Sequence, residues 1–286
     1  APAFASVRLE SGLLEGGCAP AGSLARRAER CAVRCAVRCI VGGPRRRGGM
    51  ARAGGGVGAR AGGAVRALHL LRHGRTEMNE YLAQHPWDAP GFEDPLMYDT
   101  RLTAGGLAQA RQARERVQGL TQCPYPPGVI VVSPLSRALR TMEEAFADVL
   151  ATGEVPVVVT PLASERVYHG SDVGALRSEL EAEFPRYDFS KLPTGPWWYG
   201  SGGEGGGGGG AGEGGRMFQK EPGAEFLERM AKFRTFLQAR PERNIAYVGH
   251  WAVLYTLTGY DFDNCELVTT NLDALVEPED LDPDFA

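Results

Sequence analysis

The alternation of short apolar strands with amphipathic helices after residue 65 constrains the fold of this chain most strongly. Four runs rich in Val, Ile and Leu indicate buried strands, at 65–71, 129–132, 155–159 and 245–248. Apolar residues at helical spacing predict helices at 102–117, 135–149, 176–184, 224–240 and 251–257. Strands that alternate with helices predict an α/β domain with three layers, in which a mostly parallel sheet carries helices on both faces.

Residues 1–65 differ in composition from the rest of the chain. Through residue 66 the chain has twelve arginines and three glutamates, a charge of about +9, whereas the remainder carries about −13. No apolar periodicity accompanies the arginines, so we expect a disordered basic leader. Three interpretations stay open: an organelle transit peptide, an extension upstream of Met50 that is a gene-model artefact, or a basic arm that binds nucleic acid or an anionic surface.

The folded part is expected to be one domain at 66–276. A glycine-rich tract at 200–215 lacks the G-K-[ST] sequence of a phosphate-binding loop, so we interpret it as a flexible insertion. Residues 277–286 form an acidic tail. Only Cys123 and Cys265 fall within the domain, which argues against a disulfide framework. No apolar run reaches the eighteen or so residues that a membrane span needs.

Polar motifs follow the predicted strands at the positions where open α/β sheets bind their ligands. They are Leu-Arg-His-Gly-Arg-Thr-Glu-Met-Asn at 71–79, Ser-Pro-Leu-Ser-Arg-Ala at 133–138, Ser-Glu-Arg at 164–166 and Val-Gly-His at 248–250. Because carboxyl ends of parallel strands meet at one edge of a sheet, we expect these motifs to converge on one site.

Together these motifs resemble the histidine phosphatase (phosphoglycerate mutase-like) superfamily. Its patterns are R-H-G-x-T-x-x-N after the first strand, S-P-L-x-R-A after the next, a glutamate before the middle helix, and G-H after a late strand. Residues 99–110 and the pair Cys265-Glu266 add smaller matches. The resemblance extends over roughly 66–271, and the segment 171–199 looks like a plant and algal subgroup of phosphoglycerate mutase-like proteins.

The resemblance implies a phosphohistidine mechanism. His73 would be the nucleophile and Glu165 the general acid and base, in agreement with the chemistry of those side chains. The other residues that it implies for catalysis or phosphate binding are His250, Arg72, Arg137, Asn79 and Gly74. Fixed guanidinium groups suit a phosphate dianion, so we expect neither a metal ion nor a cofactor.

Hydrolysis of a phosphate monoester is the function that the sequence favours. Phosphoglycerate mutases resemble this chain at Glu165-Arg166, but they usually carry Glu-Ser after R-H-G, where this chain has Arg75-Thr76. Mutase-type phosphoryl transfer and non-catalytic binding of a phosphorylated ligand remain alternatives. The expected partner is a small phosphorylated metabolite or a phosphoprotein, not nucleic acid or membrane, and the sequence does not indicate an oligomeric state. We expect a chloroplast or another organelle if residues 1–49 are translated, and otherwise the cytoplasm.

Overall fold

A computed structural model describes residues 38–39, 66–201 and 218–277 of the chain. The predicted leader lies outside these residues except for 38–39. The predicted insertion, apart from 200 and 201, and the acidic tail, apart from 277, lie outside them too. No helix in the described ranges combines the length and the apolar character that crossing a bilayer requires.

A six-stranded sheet forms the middle layer, in the order β1-β6-β2-β5-β3-β4. The strands are β1 (Arg38–Cys39), β2 (Ala67–Arg72), β3 (Val129–Val132), β4 (Val157–Val159), β5 (Ile245–Gly249) and β6 (Leu267–Asn271). The neighbours β2, β5, β3 and β4 run parallel, while β6 pairs with β2 in the antiparallel sense. The four predicted strands are therefore present, and the structure adds β1 and β6.

Seven α-helices are described. They are α1 (Glu77–Gln84), α2 (Ala104–Thr121), α3 (Ser136–Ala145), α4 (Ala147–Thr152), α5 (Arg177–Glu183), α6 (Gly223–Gln238) and α7 (Trp251–Thr258). Thr103 caps the start of α2, since its hydroxyl accepts the N–H of Gly106 at 3.1 Å. The helix predicted over 135–149 is divided at Phe146 into α3 and α4, and α1 was not predicted.

Helices cover both faces of the sheet, because alternate strand residues point to opposite sides. Leu68 and Leu70 of β2 pack into a core with α6 and α7, whereas Leu71 packs into a second core with α2 and α3. All three leucines are fully buried. This confirms the predicted α/β class, with a mostly parallel sheet between two helical layers.

The register of the sheet brings the predicted motifs together. Arg72 at the end of β2 pairs with Gly249 at the end of β5, and the neighbouring β3 ends at Val132. The residues that follow these three strand ends, His73, His250 and Ser133, therefore meet at one edge of the sheet.

Candidate active site

A cleft of about 710 Å³ opens at this edge of the sheet. Five predicted site residues line it: Arg72, His73, Asn79, Arg137 and Glu165. His250 is fully buried and lies behind the cleft, with its ring centroid 5.2 Å from that of His73. Within the described residues, no group of three or more His, Cys, Asp or Glu side chains is placed to hold a metal ion.

His73 is held in one orientation by the backbone around it. Its N–H donates to the carbonyl oxygen of Gly249 at 2.9 Å, which fixes the main chain at the end of β2. Its ring Nδ1 lies 2.8 Å from the carbonyl oxygen of Gly74. Because a carbonyl oxygen can only accept, Nδ1 carries the proton, and Nε2 keeps its lone pair.

The surroundings of His73 also keep its ring neutral. Burial lowers the pKa of His73 well below its usual value, and the guanidinium groups of Arg137 and Arg72 lower it further. A neutral imidazole with a free Nε2 is the form that can attack phosphorus.

Two buried nitrogen atoms beside His73 have no hydrogen-bond partner in the described part of the chain. They are Nε of Arg72 and Nδ1 of His250. Arg72 is anchored through another nitrogen, which donates to the carbonyl oxygen of Phe262 at 2.5 Å. Buried donors without partners are rare in folded proteins and call for a ligand or another explanation.

The hydrogen bonds of Ser133 indicate which nitrogen of His250 carries a proton. The Ser133 Oγ accepts the N–H of Leu135 at 3.2 Å and lies 2.7 Å from Nε2 of His250. Both contacts fit a hydroxyl that donates to Nε2, and in the tautomer that this requires the proton resides on Nδ1. Burial lowers the pKa of His250 well below its usual value, as do Arg137 and His73, which favours this neutral form. Nδ1 is then a donor without a partner beside the nucleophile.

Arg137 is the most buried cation of the site, with 3% of its surface exposed. One terminal nitrogen donates to the carbonyl oxygen of Ser171 at 2.5 Å, and the other to the Asp172 carboxylate at 3.0 Å. Asp172 also accepts the N–H groups of Tyr168 and His169. Asp172 therefore orients Arg137 and ties it to the segment that follows Glu165.

Asn79 lines the cleft, and its side-chain amide oxygen already accepts hydrogen bonds from within the protein. This Oδ1 accepts the N–H of Thr76 at 3.1 Å and the side-chain N–H of Asn264 at 3.3 Å. Asn264 also donates to the carbonyl oxygen of His73 at 3.0 Å. The amide nitrogen of Asn79 is consequently the group that can donate to a ligand.

The structure does not bring Gly74 to the cleft. Its N–H donates to the hydroxyl of Thr141 at 3.0 Å, and a Cβ at this position would lie 2.6 Å from the carbonyl oxygen of Gly106. A side chain cannot be accommodated so close to the backbone of α2. Gly74 thus allows close packing at this position, and its role in binding phosphate stays a prediction.

Glu165 is half-buried, and its carboxylate accepts two backbone N–H groups, from Arg166 at 3.0 Å and Ala252 at 3.3 Å. Burial nevertheless raises the pKa of Glu165 to about 7, and the nearby Asp172 carboxylate raises it as well. A carboxyl group with this pKa exchanges a proton near neutral pH, as a general acid and base must.

A clamp from α6 fixes the loop that carries Glu165. Arg229 donates to the carbonyl oxygens of Leu162, Ser164 and Glu165, at 3.1, 2.8 and 3.2 Å. The buried Glu221 carboxylate binds the same guanidinium with two contacts, at 2.8 and 2.7 Å. Sequence reasoning missed this clamp, since Arg229 and Glu165 are 64 residues apart and no motif links them.

A second missed residue, Asp99, holds the start of α3. Its carboxylate accepts both the N–H and the hydroxyl of Ser136, at 2.9 and 2.5 Å. The next residue along the helix is Arg137, so Asp99 fixes the backbone from which this guanidinium extends. The sequence signal for Asp99 was its place in the family-like stretch 99–110, which gave no role to the carboxylate.

Comparison with known proteins finds similar sequences. Residues 68–206 match the model of the histidine phosphatase superfamily, branch 1. A Schizosaccharomyces pombe protein described as a probable phosphatase is 30% identical over 137 residues, or 47% of this chain. The aligned region spans 56% of that relative, little more than half its length. Over residues 68–206 the chain is similar to the histidine phosphatase superfamily.

The solved structures to which the chain is similar include two phosphatases. The ecdysone phosphate phosphatase of Bombix mori, in complex with tungstate, is 16% identical, with a TM-score of 0.47 over 76% of this chain and 94% of its own. The alpha-ribazole phosphatase of Shigella flexneri is 21% identical, with a TM-score of 0.38 over 66% of this chain and 76% of its own.

Proposed function

We propose that this chain is a phosphatase that hydrolyses a phosphate monoester through a phosphohistidine on His73. The observation that carries the proposal is the pair of buried, unpartnered donors beside a neutral His73, Arg72 Nε and His250 Nδ1. A phosphoryl group in the cleft would satisfy both donors and lie next to the free Nε2.

Both cationic and neutral hydrogen-bond donors would bind the phosphoryl group. Arg72 and Arg137 supply fixed positive charge to its oxygens, and His250 and Asn79 supply neutral N–H groups. The negative charge that spreads over these oxygens in the transition state is then stabilised by groups already in place. This arrangement makes the protein's own side chains the source of the positive charge.

In the first step, Nε2 of His73 would attack phosphorus while the bond from phosphorus to the ester oxygen breaks. The proton of Nδ1 stays on the ring and keeps its hydrogen bond to the Gly74 carbonyl oxygen. The leaving oxygen takes a proton from Glu165, which starts this step protonated. The products are a free alcohol, a phosphohistidine and an ionised Glu165.

In the second step, water would attack the phosphohistidine and the bond from phosphorus to Nε2 breaks. The Glu165 carboxylate removes a proton from the attacking water and so returns to its starting form. Inorganic phosphate leaves, and His73 regains its neutral ring. A pKa of about 7 lets Glu165 serve both steps near neutral pH.

Phosphate release from a panel of monoesters, measured with and without EDTA, tests this function. We expect release by the wild-type chain to be unaffected by EDTA, because Arg72 and Arg137 supply the charge, and to be lost in His73→Ala. Phosphoglycerate interconversion without net release would contradict hydrolysis and indicate a mutase. Absence of His73-dependent release with every monoester would contradict the proposal.

A further inference from the structure

We infer that the substrate is a small phosphate monoester whose alcohol carries a flat aromatic ring, bound against a wall of Trp87, Tyr168 and Trp251. The inference rests on the proposed function, because it takes the phosphoryl group to lie at His73. It concerns the other end of the cleft, which holds the alcohol.

The size of the cleft requires more than a phosphoryl group to fill it. About 710 Å³ lies within the range of roughly 300–1,000 Å³ that is typical of small-molecule sites. A phosphoryl group at His73 would lie where β2 and β5 finish and would fill only part of this volume. The remaining volume is therefore available to the alcohol.

Aromatic and aliphatic side chains form much of this outer part. Trp87 and Tyr168 pack edge to face, with ring centroids 5.8 Å apart at an interplanar angle of 82°. Trp251 lines the cleft too; its indole N–H donates to Asp261 at 2.6 Å, which holds the ring in place. Met78 and Leu82 add aliphatic surface. Rings fixed at different angles can contact both the face and the edge of a bound ring.

Trp87 is the residue of this wall that remains largely exposed to solvent. It is 56% exposed, which makes it the most exposed large hydrophobic residue in the described ranges. A tryptophan left open at the mouth of a cleft offers a large apolar surface at low cost in conformational entropy. A ring that stacks on it would remove this surface from water.

Three polar side chains of the lining, Thr76, Thr100 and Asp172, already have partners within the protein, which leaves fewer partners for a polyhydroxylated alcohol. The Thr76 hydroxyl accepts the N–H of Asn79 at 3.1 Å, and the Thr100 hydroxyl accepts that of Met78 at 3.2 Å. Asp172 binds Arg137, as described above. Sugar or glycerol hydroxyls would have fewer partners there to replace the water that they lose.

Calorimetric binding of phosphonates to the full chain tests the inference without requiring turnover. The probes are naphthylmethylphosphonate, its saturated decahydro analogue and a dihydroxypropyl phosphonate. We expect the naphthyl probe to bind at least about tenfold more tightly than the dihydroxypropyl probe, and at least about threefold more tightly than the saturated analogue. Trp87→Ala should remove most of the preference, and Trp87→Phe should retain it.

Tyr125→Ala is the matched control, because Tyr125 is an exposed aromatic residue that does not line the cleft. Equal affinities for the three probes, or a preference that survives in Trp87→Ala, would overturn the inference. If His73-dependent phosphate release persists in that case, the proposed function stands without the aromatic selectivity. Tight, Trp87-dependent binding without any His73-dependent release would instead contradict the function and leave an aromatic phosphate-binding site.

Discussion

At the scale of single residues, the protonation states of His73 and Glu165 give the two side chains different roles in the proposed reaction. Both side chains lose solvent, but burial moves their pKa values in opposite directions, because it disfavours the imidazolium and the carboxylate alike. His73 is thereby kept neutral for attack, while Glu165 retains its proton up to about pH 7. The two roles follow from one physical cause.

The raised pKa of Glu165 predicts how activity depends on pH. Glu165 must be protonated to donate to the leaving oxygen, so kcat/KM should fall as pH rises through about 7. Glu165→Gln should lower kcat/KM by about 10²–10⁴-fold and abolish this fall. Initial rates between pH 5 and 9, measured in a constant-ionic-strength buffer, give the profile.

A comparison of two substrates with different leaving groups is the control for this prediction. With p-nitrophenyl phosphate, whose leaving oxygen needs little protonation, Glu165→Gln should lose less activity than with an alkyl phosphate. An equal loss on both substrates, with an unchanged pH profile, would show that Glu165 is not the proton donor.

Single residues were predictable from the sequence where a motif directly follows a strand. His73, Arg72, Arg137 and Glu165 all reach the cleft, because their strands or connecting loops end at the same edge of the sheet. Sequence alone does not reveal whether a glycine approaches a ligand or another segment of backbone. At Gly74 the structure shows a close approach to the backbone of Gly106.

At the scale of secondary-structure elements, the sequence predicted those elements whose residues are buried and apolar. The strands β3 and β5 were found because every residue in them is buried and apolar. The strand β6 was missed because its last three residues, Thr-Thr-Asn, are half-buried and interrupt the apolar run. The helix α1 was missed because only Met78 in it is buried, so it has no apolar stripe.

Helix α1 is instead stabilised at its start. Thr76 and Asn79 form a capping box, in which each side chain accepts the other's backbone N–H. The same asparagine lines the cleft, so the cap that begins the helix also fixes a proposed phosphate donor.

The contact between α6 and the Glu165 loop predicts a positioning role for Arg229. Arg229→Lys removes the forked contacts to Glu221 and to the loop carbonyl oxygens, so the Glu165 carboxyl should lose its fixed position. We expect kcat to fall about tenfold or more with a small change in KM, and the pH profile to shift, since small misplacements of a catalytic group are costly.

Arg234→Lys is the control for Arg229→Lys. Arg234 lies on the same helix and also binds backbone carbonyl oxygens and a carboxylate, but at Leu275–Glu277. Both variants should be compared by thermal melting before kinetics. If they lose equal activity, or if Arg229→Lys alters only KM, Arg229 does not position the proton donor.

At the scale of the whole molecule, the sheet brings the proposed catalytic groups to one edge, and the described residues on either side of the glycine-rich segment lie close together. Gly200 has a φ of 71°, and a Cβ there would collide with the backbone of Gln219. The chain therefore leaves and re-enters the described structure at nearly one point. None of the residues proposed for catalysis belongs to the intervening segment.

Replacing residues 202–217 by a short Gly-Ser linker should leave kcat/KM within about twofold, because joining two adjacent points costs little loop-closure entropy. Kinetics on the best monoester of the panel, together with a melting curve, measure this. A loss of tenfold or more in a variant that melts normally would show that the glycine-rich segment takes part in the reaction.

Direct detection of a phosphohistidine tests the central claim most directly. Wild-type chain and His73→Ala would be mixed with excess substrate, quenched in alkali, which preserves phosphohistidine, and digested for mass spectrometry. We predict phosphate on the peptide that contains His73, formed within the first turnover and absent from the variant. Phosphate release by the wild-type chain without any phosphorylated His73, or a phosphopeptide that persists in His73→Ala, would contradict the mechanism.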